Sequence, residues 1–373
     1  MNNTCSGKKE NIVFAHSVSV LGGAERVSLA VMESVSENYC SILVTPKGEL
    51  QKFAQDLNAS VQSLNYHQPS IRQPLKSLNH IAKTVRFLKR CKPIAVHTGD
   101  ILALRSFSPA CKITSTPIIC HVHFPYDESF MNWVFSNSPP VSTFIYCSNE
   151  LKEALQPYLR KLVPEAEHVV IHNGIDVRKF SPLDFPAVNV IPRIGIVGNL
   201  QKRKGHEEFL QMAELLLARG IEAEFDIIGG DILQEPRQSL LESEARRLKI
   251  DDKIKFHGQV DDVLPLLHKL DILVCASHEE AFPVTILEAM ACKKAIVTTN
   301  VNGITEAIDE RCGVLTPPHD AQALANGVSF LLENEIVKED KQENARARVV
   351  KLFSSGVFKA KILNLYRSLS MQE

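Results

Sequence analysis

The chain has 373 residues, 45% apolar and 23% charged, a composition that fits folded globular domains and is too long for one ordinary core. With 42 Lys and Arg against 43 Asp and Glu, no global field draws it to nucleic acid or an acidic surface. The 9 cysteines are scattered, odd in number and lack any Cys-x-x-Cys pair, so they suggest neither a zinc site nor a disulfide framework. Met1 to Glu10 is polar, without an apolar signal core, and no apolar run approaches a membrane span; the expected compartment is reducing and cytoplasmic.

Short β-branched runs alternate with longer amphipathic stretches throughout. In the first half the runs are Ile12 to His16, Ser41 to Thr45, Ile94 to His97, Ile118 to Val122, Phe144 to Cys147 and Val169 to Ile171. In the second they are Ile194 to Val197, Phe225 to Ile228, Ile254 to Phe256, Ile272 to Cys275 and Ala295 to Thr298. Such alternation predicts an α/β protein of two doubly wound domains, each a parallel sheet with helices on both faces. The proline-bearing stretch Phe180-Ser181-Pro182-Leu183-Asp184-Phe185-Pro186, followed by Pro192, puts the join near residues 176 to 192. The expected domains are 1–180 and 181–350, with a final segment 351–373. In open parallel sheets ligands bind beyond the carboxyl ends of the strands, so two such domains facing each other predict a cleft lined by strand ends.

Four constellations lie at such ends. After His16, the turn Leu21-Gly22-Gly23-Ala24-Glu25-Arg26 leads into a helix whose N-H groups suit a phosphate, although a plain strand-to-helix turn has the same pattern. Cys120-His121-Val122-His123-Phe124-Pro125-Tyr126-Asp127 ends a strand with two histidines. Only one is expected to face the cleft, as a sugar hydrogen-bonding group or as a structural histidine, and no third ligand at metal spacing accompanies them. Gly198-Asn199-Leu200-Gln201-Lys202-Arg203-Lys204-Gly205 gathers three cations at a turn, suited to a diphosphate or simply solvated. Ser277 to Met290 carries Glu280 ahead of a helix and Glu288 about a turn and a half inside it. Pro283 is expected in the first helical turn, and the N-H groups of Val284, Thr285 and Ile286 are expected to be free for phosphate oxygens.

Taken together these residues resemble the retaining GT-B glycosyltransferases of family four, the group 1 glycosyltransferases. The resemblance covers nearly the whole chain and is strongest from Val169 to Pro317. It rests on the spaced pair Glu280 and Glu288, on Gly22-Gly23-Ala24-Glu25, Asn173-Gly174-Ile175-Asp176 with Phe180, and Lys204-Gly205. Ile228-Gly229-Gly230, Asp271 leading to Ser277, and Gly303-Ile304-Thr305-Glu306 complete the set. It implies two Rossmann-like domains facing an interdomain cleft, with the last segment packing back on the first domain through Val357, Ile362, Leu363, Leu365, Tyr366 and Leu369. By position, Glu280 contacts the donor sugar, Glu288 the ribose, Lys204 the diphosphate, and His123, in preference to His121, the sugar. The Gly22-Gly23 loop approaches the phosphates, and backbone near Gln259 and Val260 holds the base. His16, His121 and Asp100 are candidate acceptor or sugar contacts. Asn199 stands where the family commonly has Arg, with Arg203 as the candidate replacement, and Ala281-Phe282-Pro283 replaces a Gly-Phe-Gly sequence.

The implied activity is retaining transfer of a sugar from a nucleoside diphosphate donor, UDP-linked by preference, to a glycan or lipid-linked acceptor in bacterial cell-surface polysaccharide or glycolipid synthesis. No metal or other cofactor is expected, since no Asp-x-Asp motif occupies the donor loops. Arg86, Lys89, Arg90 and Lys92 form either a solvated helix face or a peripheral contact with the inner membrane. A nucleotide-sugar epimerase and a non-catalytic nucleotide-sugar-binding protein are the alternatives.

Overall fold

The computed structural model describes residues 9–136, 138–184, 189–231 and 236–370. Its chain divides into two units, one made of 1–173 with 356–373 and the other of 174–355. The first unit opens with β1 (Asn11–Ala15), α1 (Gly23–Val35), β2 (Cys40–Thr45), α2 (Glu49–Asp56) and β3 (Ser60–Ser63). There follow α3 (Pro74–Cys91), β4 (Pro93–Thr98), α4 (Ile101–Thr114), β5 (Ile118–Val122), α5 (Glu128–Phe135), β6 (Val141–Tyr146), α6 (Asn149–Leu162) and β7 (Glu167–Val170). All seven strands pair in parallel, in the order β3-β2-β1-β4-β5-β6-β7. A parallel sheet covered on both faces needs strands that are apolar on both, and every residue of β5, Ile118 to Val122, is buried.

The second unit runs β8 (Arg193–Val197), α7 (His206–Ala218), β9 (Glu224–Ile228), α8 (Gln238–Arg247), β10 (Ile254–Gly258), α9 (Leu264–Lys269) and β11 (Ile272–Cys275). It continues with α10 (Val284–Ala291), β12 (Ala295–Thr299), α11 (Ile304–Ala307), β13 (Val314–Thr316), α12 (Ala321–Glu333) and α13 (Glu335–Phe353). Its six parallel strands lie in the order β10-β9-β8-β11-β12-β13. Its core joins Ile194, Ile196, Phe225, Ile227, Ile272 and Val274 of the sheet to Phe209, Met212 and Leu216 of α7 and Leu324, Val328 and Leu331 of α12.

Both sheets reverse direction beside their first strand, between β1 and β4 and between β8 and β11, and a gap between diverging loops opens there at the carboxyl edge. Two strands, β3 and β13, lay outside the sequence expectation. Both are edge strands of three or four residues, half-buried or exposed over most of their length, so no apolar run announces them.

The chain returns to the first unit through α14 (Ser355–Ser370). Phe358, Ile362, Leu365 and Tyr366 join Ile12 and Phe14 of β1, Val31 and Met32 of α1 and Leu43 of β2 in one core, with Leu363 and Leu369 packed at its edge and Val357 half-buried. Full burial of a residue such as Ile362 contributes roughly 1.5–3 kcal/mol. Tyr366 also places its hydroxyl 2.7 Å from His97 Nδ1 in β4.

At the crossing, the Ile175 N–H donates to the Phe353 carbonyl and the Ser355 N–H to the Ile175 carbonyl, each at 2.8 Å, so outgoing and returning strands of chain run side by side. Arg346 of α13 holds the stretch after the crossing by donating to the carbonyls of Val177 and Phe180. Phe185 and Pro186 of the expected join lie outside the described residues. The described cysteines are all free, and all but Cys91 are buried; burial pushes the Cys120 thiol up to about 12, so these thiols serve as small apolar side chains. Among the described residues no helix is long and apolar enough to cross a membrane.

Candidate active site

In the second unit, neighbouring strands β8 and β11 bring together loops that are far apart in sequence. After β8 the chain passes through Gly198 and a single 3-10 turn, Lys202–Lys204, to Gly205, where φ is +71°. A Cβ on Gly205 would lie 2.0 Å from the Ala276 carbonyl oxygen, so only glycine lets this turn press against the end of β11. The contact puts Lys204 against the next loop, and its Nζ forms an ion pair with Glu280 Oε2. Both side chains are mostly buried, 20% and 13% exposed, so the pair is screened only in part by solvent.

The Glu280 loop is fixed from three sides. The Glu280 carbonyl accepts from the Gly303 N–H at 3.1 Å, the Ser277 carbonyl from the Thr299 hydroxyl at 2.6 Å, and the His278 N–H donates to the Arg203 carbonyl at 2.8 Å. Helix α10 starts at Val284, so Pro283 is its N-cap rather than a residue of its first turn, which corrects the expectation. Its φ of −85° and ψ of 102° make it an extended residue that stops the helix from growing backwards. No side chain caps this end. The amides of Val284, Thr285 and Ile286 come before the first helical hydrogen bond, from the Leu287 N–H to the Pro283 carbonyl at 3.3 Å. Glu288 is the fifth residue of α10 and is half-buried.

Arg203 directs its guanidinium along the loop, to Gln201 Oε1 at 3.1 Å and toward the Glu279 carbonyl at 3.4 Å, while Asn199 is exposed. The two cations thus take different partners. Gln259, exposed, and Val260, half-buried, follow β10 in a loop that rests on Gly230. Gly229, with φ +143°, allows this layering, since a Cβ there would lie 2.0 Å from the Gly198 carbonyl. Beneath the Lys204 turn His206 is fully buried, and burial, reinforced by the Lys204 charge, lowers it to about 4, so its ring is neutral.

Strand ends of the first unit carry different chemistry. His16, just past β1, is fully buried, with Nε2 2.7 Å from the Ser28 hydroxyl and Nδ1 3.8 and 4.0 Å from carboxylate oxygens of Glu25 and Asp100. Gly22 caps α1, and its N–H donates to Glu25 Oε2 at 3.1 Å, so that amide is already engaged. Asp100 caps α4 by accepting from the Ala103 N–H at 2.8 Å, and also accepts from the Ser17 N–H and hydroxyl.

His121 and His123 face the same way, their rings stacked at 4.2 Å, which corrects the expectation that only one of the two takes that side. Residues two apart share a face of a strand, and His123 directly follows the last residue of β5. His97, not singled out from sequence, extends the array at 5.5 Å from His121. Burial first, then neighbouring histidines, depresses all three: His97 to about 3, His123 to about 4, His121 well below its ordinary value. Several of their ring nitrogens, both of His121 and Nε2 of His123 among them, are buried and lack a hydrogen-bond partner, as does His16 Nδ1. Buried polar atoms in folded proteins are nearly always paired, so these nitrogens stand out from the rest of the first unit's core.

Comparison with known proteins agrees with this geometry. Residues 21–179 match the family model described as Glycosyltransferase Family 4, and residues 190–348 the model described as Glycosyl transferases group 1. The capsular polysaccharide biosynthesis glycosyltransferase CapM of Staphylococcus aureus is 27% identical over 47% of this chain and 46% of its own length. The first curated relatives are matched over only 46% to 66% of their length. Among solved structures, a glycosyltransferase from Rickettsia africae superposes with a TM-score of 0.85 at 23% identity, covering 98% of this chain and all of that one. Anabaena HepE in complex with UDP-glucose gives 0.84 at 20%, covering 96% and 99%. These likenesses establish the fold as GT-B. With residues 21–179 and 190–348, most of the chain between them, matched by the two glycosyltransferase family models, the chain belongs to the group 1 glycosyltransferases.

Proposed function

We propose that the protein is a retaining glycosyltransferase that moves a sugar from a nucleoside diphosphate donor, UDP-linked by preference, to a hydroxyl of a glycan or lipid-linked acceptor in bacterial cell-surface polysaccharide or glycolipid synthesis. The observation that carries this reading is the Lys204–Glu280 pair in the gap between β8 and β11, next to the uncapped start of α10. A helix N-terminus with free amides suits phosphate oxygens, and a lysine beside it supplies the countercharge as the diphosphate leaves. CapM and the UDP-glucose complex of HepE support the donor class and the biosynthetic setting.

In the reaction the bond from the anomeric carbon to the β-phosphate oxygen breaks, and the acceptor oxygen bonds to that carbon on the same face. The acceptor proton passes to the departing phosphate oxygen. Lys204 and the amides of Val284, Thr285 and Ile286 stabilise the charge that gathers there. Glu280 accepts from hydroxyls of the donor sugar and Glu288 from the ribose, while backbone at Gln259 and Val260 holds the base. His123, with His121 and His16, offers its unpartnered nitrogens to sugar hydroxyls. Fixed positive charge does the work of a divalent ion, so transfer persists in EDTA.

A thermal-shift panel of UDP-, GDP- and ADP-sugars identifies the donor, since a ligand at a hundred times its Kd stabilises by about 2.7 kcal/mol. Purified protein then hydrolyses that donor slowly without acceptor. A binder without hydrolysis, or conversion of the donor to its epimer, would replace the transferase reading.

A further inference from the structure

Apart from the Lys204–Glu280 pair, three side chains of the second unit converge on one point. Glu208 stands in the first turn of α7, His278 in the loop after β11, and His319 in the turn between β13 and α12. Glu208 Oε1 lies 2.9 Å from His278 Nε2 and 3.3 Å from His319 Nδ1, and one ligand atom from each residue falls within 4.8 Å of the others. A tetrahedral ion with bonds of about 2.0–2.1 Å holds its ligands about 3.4 Å apart, close to the 3.3 Å separation and about half an ångström beyond the 2.9 Å one.

Hydrogen bonding alone accounts poorly for this arrangement. Two imidazoles address a single carboxylate oxygen, while the other, Glu208 Oε2, is buried with no partner. The two rings approach to 3.7 Å between centroids with their planes 40° apart, a geometry of convergence rather than of stacking. His319 holds its position with φ at +58°, left-handed backbone that a residue with a Cβ adopts at a cost. The framework is rigid around them: the His278 N–H is bonded to the Arg203 carbonyl, and Asp320, next to His319, caps α12. Side-chain exposures of 15%, 16% and 63% put Glu208 and His278 inside and His319 at the entrance, leaving a fourth position open to water.

We propose that Glu208, His278 and His319 form a binding site for a divalent transition-metal ion of the zinc class. Two imidazoles and one carboxylate suit zinc and its first-row neighbours, whereas magnesium and calcium take oxygen ligands. The residues are 70 and 111 positions apart from Glu208, so no sequence spacing reveals them. A bound ion ties the loop that carries Glu280 to the helix that follows the Lys204 turn. It serves as a brace distinct from the transfer chemistry, and the site stands whether or not the transferase reading does.

The full chain, stripped with chelator and dialysed, is titrated with zinc by calorimetry and with cobalt by visible absorption. One zinc per chain, a rise in melting temperature with zinc but not with magnesium, and the d–d bands of four-coordinate cobalt are expected. His319→Ala, at an exposed turn, keeps the circular dichroism of the wild type and weakens zinc binding at least tenfold, and Glu208→Gln abolishes the cobalt bands. Absence of saturable zinc binding, equal response to magnesium, or unchanged affinity in a folded His319→Ala protein overturns the site.

Discussion

The two units use one sheet plan with different chemistry at its carboxyl edge. The carboxyl edge of the first sheet presents buried rings, His121 and His123 with His97 beneath, and His16 beside the carboxylates of Glu25 and Asp100. Where the second reverses, its loops present charge, Lys204 paired with Glu280, at sites that water partly reaches. A doubly wound sheet therefore dictates where a site lies and leaves its polarity to the loops. In the first unit the rings of His97, His121 and His123 are kept neutral by burial. In the second, Lys204 and Glu280 pair with each other beside a helix start that no side chain caps.

Four measurements break or sharpen that contrast. Replacing Tyr366 by Ala removes a fully buried aromatic from the first core and leaves His97 without its hydroxyl partner; a loss of about 3–5 kcal/mol is expected. In a denaturant titration it appears in the transition of the first unit only, and an equal loss in both would deny their separate cores. Lys204→Ala should lower kcat by about 10²–10³-fold, the scale for losing one charge-stabilising donor, whereas His123→Ala should cost about tenfold, the worth of a neutral hydrogen bond. Near-normal turnover in the Lys204 variant sinks the assigned role, and equal losses in the two remove the distinction between charged and neutral edges.

Acid gives a third handle. The depressed histidines of the first unit, His97 near 3 and His123 and His168 near 4, are neutral when folded but take up protons at their ordinary value of about 6.5 when unfolded. Their contribution to stability is complete above about 6.5, declines as the pH falls toward about 4, and declines no further once the folded form also protonates. His206 is the strongly depressed histidine among the described residues of the second unit. Calorimetric scans between pH 7 and pH 5 should therefore lower the melting temperature of the first unit more than that of the second. The smallest effect belongs to Asp100→Ala, which removes the α4 cap and should cost about 1 kcal/mol, read by denaturant midpoint with turnover alongside.

Much of this fold is legible in the sequence because its central strands are apolar on both faces. Ile118 to Val122 and Ile272 to Cys275 were bounded to the residue. Edge strands β3 and β13 bury too little to write a pattern. At the site, Lys204 and Glu280 each stand in a readable loop, but their meeting depends on β8 lying beside β11, a long-range fact that no local spacing states. Tyr366 was readable as apolar helix periodicity, whereas its bond to His97 spans 269 residues and has no sequence signature. The pairing of His121 with His123 was available from strand alternation itself, since residues two apart share a side.

The return of the chain through α14 has a consequence for the order in which the protein matures during synthesis. Residues 174–355 form a continuous stretch and can close their core as soon as they leave the ribosome. The amino-terminal sheet, although made earlier, keeps an apolar seam open beside Ile12, Phe14 and Met32 until Phe358, Ile362 and Tyr366 have been added. The half that is translated first is thus the last to be sealed.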